Sequence, residues 1–513
     1  MKYNKIINIL KDNNLLDRYE KYSFKINKGI GSIELNNEEL KDNTNIDLNI
    51  ENISYDSNDI KENTLFVCKG FTFKEEYLND AIKRKTICYM SEIDYNKKIP
   101  KIIVTDVRKA LAIISLNFYK DDLFKIGITG TKGKTTTNYY IHNILKYHLG
   151  YKPGILATHY FYDGESEGEN HNTTPESLDL HRLLNTMTKN NLKYVTMEVS
   201  SQATKLDRVF GMHYNIGCFL NIGEDHISPL EHSSFEDYLN CKIEFLTMCD
   251  KVIIYKQTDY YDEILEKVKD KEIITYGITS DCDYYIKNVN AYNDKVVFDV
   301  VHDNTIENYY ITMEGTFNVI NATCAIVIAK LIGVSYENIQ KGLSKTHVEG
   351  RMEKVEDQLG PIIIDYAHNK LSAEALYKSV KDTYKGKRVI SVFGCPGNKG
   401  INRRKDMGTC AGKYADYIYL TSEDPGTKDV IDICSDIIKY IKPFNKPYEI
   451  IEDRKTAIEK ALKERKKNDV LVILGKGDED YQITKNGYEP YEQDINIVKN
   501  YLKGAIIKWN TMK

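Results

Sequence analysis

The stretch that decides the fold is FKIGITGTKGKTTTNYY, residues 124–140. Its apolar start, Phe124–Ile128, predicts a buried strand, and the Gly-rich turn Gly130–Thr136 follows. The next residues, Thr137–Leu149, are compatible with a helix. A strand, a Gly-rich loop, a Lys-Thr pair and a helix are typical of a phosphate-binding loop, where backbone N–H groups and the helix N-terminus face the anion.

Lys134 and Thr135 carry the expected chemistry of this loop. The ammonium of Lys134 can reach the outer phosphates of a nucleotide, and the hydroxyl of Thr135 can bind Mg²⁺. The usual spacing would place a further glycine at position 128, where this chain has isoleucine between Gly127 and Gly130. The alternative is a Gly-rich turn without a ligand, but the strand, loop and helix all favour a site for a nucleoside triphosphate.

Length and composition limit the class of protein. The chain has 513 residues, which predicts about three domains at roughly 150 residues each. The net charge of −4 gives no basic surface for nucleic acid or an anionic membrane. No apolar run approaches the ~18 residues of a membrane helix, and the charged start of the chain lacks a signal-peptide core. The ten Cys form no CxxC pair, so we expect reduced, buried thiols in a cytoplasmic protein.

Strand-like and helix-like stretches alternate along the chain, which predicts an α/β protein with doubly wound parallel sheets. We place domain boundaries so that residues 1–122 form a small N-terminal α/β domain. Residues 123–348 form the central domain with the phosphate loop, and residues 349–513 form a third domain in which the alternation starts again. No linker rich in Pro or Ser marks either boundary.

Acidic, His and Lys residues follow the strands of the central segment. Glu198 ends YVTMEVSS, and His226 follows the strand GCFLNIGE. Ligands of open parallel sheets bind beyond the carboxyl ends of the strands, so Glu198 and His226 are placed to share a metal with Thr135. Taken alone, Glu198 or His226 would be interpreted as a solvated loop residue. Lys242 lies on an amphipathic helical stretch and, taken alone, would be interpreted as a surface lysine.

The last segment offers charged loops of both signs. Its strands end in DYAHN, with Asp365 and His368, in SEDPG, and in GKGDEDYQ. The strand VFGC is followed by a turn rich in Gly and basic residues. Loops that carry both charges suit a zwitterionic amino-acid substrate.

The order of these motifs resembles the Mur ligase family. The motifs are GTKGKTTT, NTTPES, MEVSSQA, NIGEDH, GTFNVINA, VEGRME, DYAHN, VFGCPGN, SEDPG and GKGDEDYQ, and the resemblance spans roughly residues 50–500. It implies a uridine-nucleotide domain, a central ATPase domain and a C-terminal Rossmann-like domain. It also implies a reaction in which ATP phosphorylates a donor carboxylate and an amino acid attacks the resulting acyl phosphate, as in cell-wall peptidoglycan synthesis. The donor would be a UDP-MurNAc-dipeptide-like molecule.

The resemblance assigns roles to individual residues. Catalytic roles fall on Lys134, Lys242, Glu198 and His226, and metal binding on Thr135, Glu198, His226 and Lys242 as a carbamate. The ATP site comprises Gly130, Thr131, Lys132, Gly133, Lys134, Thr135, Thr136, Asn321, Arg351 and Asp365. The donor site comprises Ser57, Thr173, Thr174, Ser200 and Arg208, and the acceptor site comprises Lys399, Glu423, Asp424, Gly475 and Glu479.

The acceptor motif departs from one branch of the family. Members that use meso-diaminopimelate carry Asp-Asn-Pro-Arg, whose Arg pairs with the distal carboxylate, whereas this chain has Glu423-Asp424-Pro425-Gly426. Gly426 cannot form that bidentate pair. Glu423, Asp424 and Glu479 instead offer negative charge to a side-chain ammonium, so our hypothesis for the acceptor is L-lysine.

Several alternatives stay open at this stage. Asn58 and Gln202 stand where the family usually has Arg and His, so a pseudomurein-type ligase or a ligase with another donor or acceptor is compatible. A P-loop ATPase without ligase activity would leave the C-terminal motifs unexplained. A non-catalytic relative would be expected to lose Lys134, Glu198 or His226, and all three are present. We expect a monomer.

Overall fold

The computed structural model describes residues 1–20, 48–158, 160–170, 172–228, 231–292 and 294–511. The helices are α1 (Tyr3–Asp12), α2 (Glu75–Lys83), α3 (Val107–Phe118), α4 (Lys134–Leu149), α5 (Ser177–Lys189), α6 (Ser201–Lys205), α7 (Phe235–Thr247), α8 (Tyr261–Lys267), α9 (Asn318–Leu331), α10 (Tyr336–Lys345), α11 (Lys370–Thr383), α12 (Asn402–Tyr414), α13 (Val430–Ile441), α14 (Arg454–Glu464) and α15 (Asp494–Thr511). The strands are β1 (Leu16–Glu20), β2 (Asn52–Ser54), β3 (Thr64–Val67), β4 (Cys88–Ser91), β5 (Lys101–Val104), β6 (Phe124–Thr129), β7 (Gly154–Ala157), β8 (Tyr160–Tyr162), β9 (Glu167–Gly168), β10 (Tyr194–Glu198), β11 (Tyr214–Phe219), β12 (Cys249–Tyr255), β13 (Glu272–Gly277), β14 (Tyr284–Ala291), β15 (Val296–His302), β16 (Thr305–Ile311), β17 (Glu353–Asp357), β18 (Gly360–Asp365), β19 (Val389–Phe393), β20 (Tyr417–Leu420), β21 (Tyr448–Ile450), β22 (Val470–Leu474), β23 (Tyr481–Thr484) and β24 (Gly487–Pro490).

The chain divides into two compact units. The first consists of Met1–Lys125, Gly154–Val195 and Val199–Tyr214, and the second of Ile126–Pro153, Thr196–Glu198 and Asn215–Lys513. The predicted boundaries near residues 122 and 348 stay a prediction, because a division into two units does not test them.

The first unit contains a five-stranded sheet with the order β1-β5-β4-β3-β2. All neighbouring strands are parallel except β1, which is antiparallel to β5. Helix α1 covers this sheet with an apolar stripe, because Tyr3, Ile6, Ile7 and Leu10 recur at helical spacing and are all buried. The small N-terminal α/β fold expected from the sequence is therefore confirmed.

The phosphate-loop strand β6 lies inside a large sheet. In the second unit the strand order is β16-β15-β14-β13-β12-β11-β6-β10, and β6 is parallel to β11. The predicted parallel sheet is confirmed for β6, β11, β12 and β13. The antiparallel strands β14, β15 and β16 were not predicted. Residues of β15 alternate between buried and less buried positions, which is the two-residue period of a sheet covered mainly on one face.

Helix α4 is held tightly behind the phosphate loop. It packs against α9 and α10, and a Cβ placed on Gly342 of α10 would lie 2.5 Å from the Cα of Ile144 in α4. Only a glycine allows this close approach of two helix backbones. This packing fixes the position of α4 against α10.

The C-terminal sheet is a six-stranded sheet with the order β17-β18-β22-β19-β20-β21. Every neighbouring pair is parallel except β17 with β18. Its central strand β22 is buried along its whole length. Val472 belongs to the core on one face of the sheet, whereas Leu471 and Ile473 belong to the core on the other face. Helices cover both faces, as predicted for a Rossmann-like arrangement.

A few boundaries differ from the sequence expectations. Helix α4 begins at Lys134 rather than Thr137, because Gly133 takes the left-handed conformation that caps it. Strand β11 ends at Phe219, so the last five residues of the stretch GCFLNIGE follow the strand instead of belonging to it. All ten cysteines are buried and form no disulfide, which confirms that part of the expectation. Among the described helices, none combines the length and the apolar character needed to cross a bilayer.

Candidate active site

The phosphate loop joins β6 to α4 through Gly130–Gly133. Gly133 precedes the first helical residue with φ of +84°. A Cβ at this position would lie 2.4 Å from Oδ1 of Asn321 on α9, so the loop requires glycine for both conformation and space. The first N–H groups of α4 have no partners within the helix and carry the positive end of its dipole, which suits an anion.

The side chain of Lys134 forms hydrogen bonds with the backbone of its own loop. Its Nζ donates hydrogen bonds to the carbonyl oxygens of Gly130 at 2.9 Å and Thr131 at 3.2 Å. Burial holds the pKa of Lys134 below its usual range, while the nearby carboxylates of Glu198 and Asp225 oppose that shift. The ammonium therefore lies at the loop, with two acidic residues within electrostatic reach.

Asn221 and Tyr238 anchor the loop and were missed by sequence reasoning. The backbone N–H of Lys132 donates to Oδ1 of Asn221 at 2.9 Å, and Nδ2 of Asn221 donates to the carbonyl of Lys132 at 3.0 Å. The hydroxyls of Thr131 and Tyr238 share a hydrogen bond at 3.0 Å. The available signal was a polar Asn two residues after the apolar strand β11.

Lys242 is buried, so its interpretation as a surface lysine is wrong. Its residue exposure is 2%, and its Nζ donates to the carbonyl oxygen of Gly130 at 2.8 Å. The same Nζ lies 4.6 Å from the ring centre of Tyr238. Burial, reinforced by the charge of Lys134, lowers the pKa of Lys242 well below its usual value. Helix α7 buries residues on several sides, which the amphipathic pattern did not indicate.

The other predicted metal ligands lie at the ends of neighbouring elements. Glu198 ends β10 and is 1% exposed. Thr135 and Thr136 lie in the first turn of α4, and Thr136 is buried. The ring of His226 is half-exposed, and its Nδ1 lies 2.7 Å from Oε1 of Glu231. That contact lowers the pKa of Glu231, so His226 is engaged by Glu231 in this conformation.

Asp225 is the centre of a charged cluster that the sequence analysis did not assign. Its carboxylate accepts hydrogen bonds from Arg403 at 3.1 Å and from Nδ2 of Asn369 at 2.6 Å, and it lies 3.5 Å from Nζ of Lys132. Burial alone would raise the pKa of Asp225, but Lys132 and Arg403 hold it well below its usual range. The cluster connects the phosphate loop with the loop that follows β18 and with the first turn of α12.

His368 completes this connection. Its Nδ1 lies 2.8 Å from the carbonyl oxygen of Tyr366, so Nδ1 carries the proton in the neutral ring. Its Nε2 is then free to accept from Nζ of Lys132 at 3.1 Å. Burial lowers the pKa of His368 well below its usual value and lowers that of Lys132 to about 7. A charged Lys132 beside a neutral His368 is consistent with both contacts.

Three further predicted ATP-site residues, Asn321, Arg351 and Asp365, are each held by contacts with neighbouring residues. Nδ2 of Asn321 donates to Oδ1 of Asn318 at 3.1 Å, which turns its Oδ1 toward Gly133. The guanidinium of Arg351 stacks on the ring of Tyr366 at 4.3 Å. Asp365 accepts from two backbone N–H groups, those of Met352 and Ala367.

Two of the three predicted acceptor-binding carboxylates already have a partner. Nζ of Lys476 lies 2.9 Å from Oδ1 of Asp424 and 2.5 Å from Oε2 of Glu479, and Lys476 is completely buried. Glu479 also accepts from the hydroxyl of Tyr366 at 2.8 Å. Sequence reasoning missed this pairing because Lys476 lies in a different loop from Asp424.

Glu423 is the remaining carboxylate. It is 5% exposed and has no hydrogen-bond or ion-pair partner among the described residues. Burial, with a smaller contribution from Asp424, raises its pKa to about 7. Gly475 adjoins it, because a Cβ there would lie 2.7 Å from Oε2 of Glu423. Lys399, in contrast, is exposed, and it forms no hydrogen bond or ion pair with the other described residues.

The predicted donor residues lie in the first unit. The backbone N–H of Ser200 donates to Oγ1 of Thr174 at 3.1 Å, and Arg208 donates to the carbonyl of Thr174 at 3.0 Å. Arg208 also lies 2.8 Å from Oε1 of Glu176. Thr173 accepts from Thr158 at 3.2 Å, and Ser57 lies half-buried in the turn after β2. The structure thus brings Thr174, Ser200 and Arg208 together, while their role stays a prediction.

These features define an α/β enzyme with a phosphate-loop sheet followed by a second parallel sheet with charged loops. Comparison with known proteins identifies the family. Residues 128–329 match the Mur ligase middle domain, and residues 350–477 match the Mur ligase glutamate ligase domain.

Curated relatives agree over most of the chain. A protein of Streptococcus agalactiae serotype Ia, named UDP-N-acetylmuramoyl-L-alanyl-D-glutamate–L-lysine ligase, is 40% identical over 459 residues, which cover 88% of this chain and 92% of the relative. The Streptococcus pneumoniae serotype 2 protein of the same name is 39% identical over 459 residues, covering 88% of this chain and 93% of that protein. The chain belongs to the Mur ligase family and is a ligase, which confirms the resemblance and excludes an ATPase without ligase chemistry.

Solved structures share the fold. A UDP-N-acetylmuramoyl-L-alanyl-D-glutamate–2,6-diaminopimelate ligase matches with a TM-score of 0.61 and 22% identity, covering 89% of this chain and 95% of that one. The MurF ligase of Thermotoga maritima, solved in complex with ADP, matches with a TM-score of 0.58 and 17% identity, covering 82% of this chain and 93% of that one. At these identities the likeness concerns the fold alone.

Proposed function

We propose that this chain uses ATP and Mg²⁺ to join L-lysine to a UDP-N-acetylmuramoyl-L-alanyl-D-glutamate donor in peptidoglycan synthesis. The observation that carries the choice of acceptor is Glu423, a buried carboxylate without a hydrogen-bond or ion-pair partner among the described residues. Such a group is stabilised by an incoming ammonium. Gly426 leaves no guanidinium for a second carboxylate, and the streptococcal relatives carry L-lysine in their names.

The first step needs an electrophile, because a free carboxylate does not react with an amine. A donor carboxylate oxygen attacks the γ-phosphorus of ATP, the bond to the β-phosphate oxygen breaks, and ADP leaves. Lys134 and the N–H groups at the start of α4 offset the charge on the transferring group. The acceptor amine then attacks the acyl carbon, loses a proton, and phosphate leaves with the donor oxygen.

The oxygen donors at the loop suit Mg²⁺. Thr135 supplies a hydroxyl in the first turn of α4, and Glu198 supplies a buried carboxylate near Lys134. Hard oxygen ligands are those that Mg²⁺ prefers, and bound Mg²⁺ would neutralise phosphate charge. We assign its binding to these two residues, with His226 contributing once it leaves Glu231.

Lys242 would join this set as a carbamate. An ammonium repels a metal ion, but a neutral amine can attack CO₂ to form an N–C bond, and loss of a proton leaves an anionic oxygen ligand. The lowered pKa of Lys242 favours the neutral amine that this step requires. Its contact with the carbonyl of Gly130 places it beside the loop.

Amino-acid-dependent phosphate release tests this function. The purified protein is incubated with ATP, Mg²⁺, the UDP-linked dipeptide donor and one amino acid from a panel that includes L-lysine, L-ornithine and meso-diaminopimelate. We expect L-lysine to accelerate release most, with a matching new amide by mass spectrometry. Faster turnover with meso-diaminopimelate would contradict the choice of acceptor.

A further inference from the structure

Three cationic side chains lie within electrostatic reach of Glu423, and two of them are already held in buried ion pairs. Arg454, Arg403 and Lys476 each lower the pKa of Glu423, which places all three within electrostatic reach of it. Arg454 forms a bidentate pair with Asp494, at 2.9 and 2.6 Å. Lys476 is held between Asp424 and Glu479. Neither is available for a substrate carboxylate without breaking a buried ion pair.

Arg403 differs because part of its guanidinium is unsatisfied. Its side chain is 12% exposed, and one terminal nitrogen donates to Oδ1 of Asp225 at 3.1 Å. Its Nε is buried and has no hydrogen-bond partner among the described residues. A buried N–H donor without an acceptor is unfavourable, and a carboxylate that binds the guanidinium edge would satisfy it.

Arg403 also links the acceptor loops with the phosphate loop, because the Asp225 carboxylate to which it donates lies 3.5 Å from Nζ of Lys132. The charge of Arg403 acts on Glu423 in the acceptor loops and on Lys132 in the phosphate loop. In an amino acid the α-carboxylate and the α-amine share one carbon atom. A carboxylate held by Arg403 therefore brings the nucleophilic amine toward the phosphate loop.

The local backbone supports this placement. Gly400 has φ of +55°, and a Cβ there would lie 2.8 Å from Cδ of Arg403, so the side chain folds back over the turn. Lys399, on the same turn, is exposed. The turn thus directs Arg403 into the protein and Lys399 away from it.

We propose that Arg403, and not Lys399, binds the α-carboxylate of the incoming amino acid, while Glu423 binds its side-chain ammonium. This assignment rests on the proposed function, because it takes the acceptor to be an amino acid with a cationic side chain. It makes Arg403 a binding residue for the acceptor and not for ATP.

The test compares L-lysine with L-lysinamide, which keeps both amines and lacks the carboxylate. The variants are Arg403→Met, Arg403→Lys and the control Lys399→Met, each assayed for KM and kcat with both acceptors and for the KM of ATP. Losing a charge-assisted bidentate contact is expected to raise the KM of L-lysine about 10–100-fold in Arg403→Met. The preference of the wild type for L-lysine over L-lysinamide should disappear, the KM of ATP should stay within about twofold, and Arg403→Lys should be intermediate because it keeps charge without the fork.

Several outcomes would overturn the proposal. An unchanged KM for L-lysine in Arg403→Met, an equal loss with both acceptors, or a loss of carboxylate preference in Lys399→Met would each do so. An equal loss would assign Arg403 to the positioning of Asp225. A wild-type protein that ligates no amino acid would instead refute the proposed function, so the two failures are distinguishable.

Discussion

Nζ of Lys242 donates a hydrogen bond to the carbonyl oxygen of Gly130 at 2.8 Å, across 112 residues of sequence. The contact places a buried amine on the first residue of the phosphate loop. A lysine in this position is either a structural brace for the loop or the precursor of an anionic metal ligand. The two roles make different predictions.

Replacing Lys242 by alanine should remove most of the ligase activity, and short carboxylates such as formate or acetate should restore part of it. Rescue is expected because a small carboxylate can occupy the space of the carbamate and supply the same oxygen ligands. Initial rates with and without added carboxylate measure the effect. The control is Lys267→Ala, an exposed lysine on α8, which should change neither rate. A Lys242→Ala protein with full activity, or with a loss that no carboxylate repairs, would refute the carbamate.

Replacing Lys134 by alanine should lower kcat by at least about 10²–10³-fold, because developing charge on the transferring phosphoryl group loses its cation. Single-turnover kinetics with labelled ATP measure the rate of phosphoryl transfer in each variant. Lys146 lies on the same helix in an exposed position. Lys146→Ala therefore makes the same change of residue in the same helix, and it should behave as wild type. Similar rates for the two variants would remove Lys134 from the mechanism.

Gly133→Ala should weaken nucleotide binding strongly. Alanine meets a left-handed backbone, which costs about 1–2 kcal/mol, and its Cβ would also collide with Asn321. Gly150→Ala is a matched control, because Gly150 has φ of +77° at the other end of α4 with nothing within 4 Å. Both variants should melt at lower temperature, but only Gly133→Ala should lose ADP affinity in calorimetry. Equal ADP affinity in both would show that the contact with Asn321 is unimportant.

Glu423 predicts a pH dependence of acceptor binding. Its pKa is about 7 in the folded protein, and only the ionised carboxylate attracts an ammonium. The kcat/KM for L-lysine should therefore rise as pH increases through about 7, and Glu423→Gln should raise KM and abolish this rise. The effect of Glu423 on the free energy of unfolding has the opposite pH dependence. Between the usual pKa of a glutamic acid and about 7, the folded state binds more protons than the unfolded state. Glu423 therefore lowers the stability of the protein as pH rises through this range. A pH profile that is the same in Glu423→Gln would contradict the role.

The pair Arg454–Asp494 should be essential for folding of the C-terminal sheet. Both side chains are almost completely buried, so Arg454→Met leaves an unpaired buried carboxylate and should cost about 3–5 kcal/mol. Thermal unfolding followed by circular dichroism measures the loss. The exposed pair Lys455–Glu492 is the comparison, and Lys455→Met should leave the melting temperature unchanged. An equal effect of both substitutions would contradict this account.

The sequence predicts what is local and fails where distant loops meet. The phosphate loop and the strands β18 and β22 follow from contiguous apolar and glycine patterns. The contact of Arg403 with Asp225 joins residues 178 positions apart, and nothing in either segment indicates the other. The burial of Lys242 and the pairing of Lys476 have the same cause, because both depend on how the elements pack. The antiparallel strands β14–β16 were missed because their alternation is weaker than the apolar runs of the parallel strands.

Transfer of an oxygen atom tests the central claim most directly. The UDP-linked dipeptide donor is labelled with ¹⁸O in its reacting carboxylate and incubated with the protein, ATP, Mg²⁺ and L-lysine. If the carboxylate is activated as an acyl phosphate, each amide formed should release one inorganic phosphate that carries one ¹⁸O atom. Unlabelled phosphate, or labelled donor recovered intact while ATP is consumed, would contradict the account.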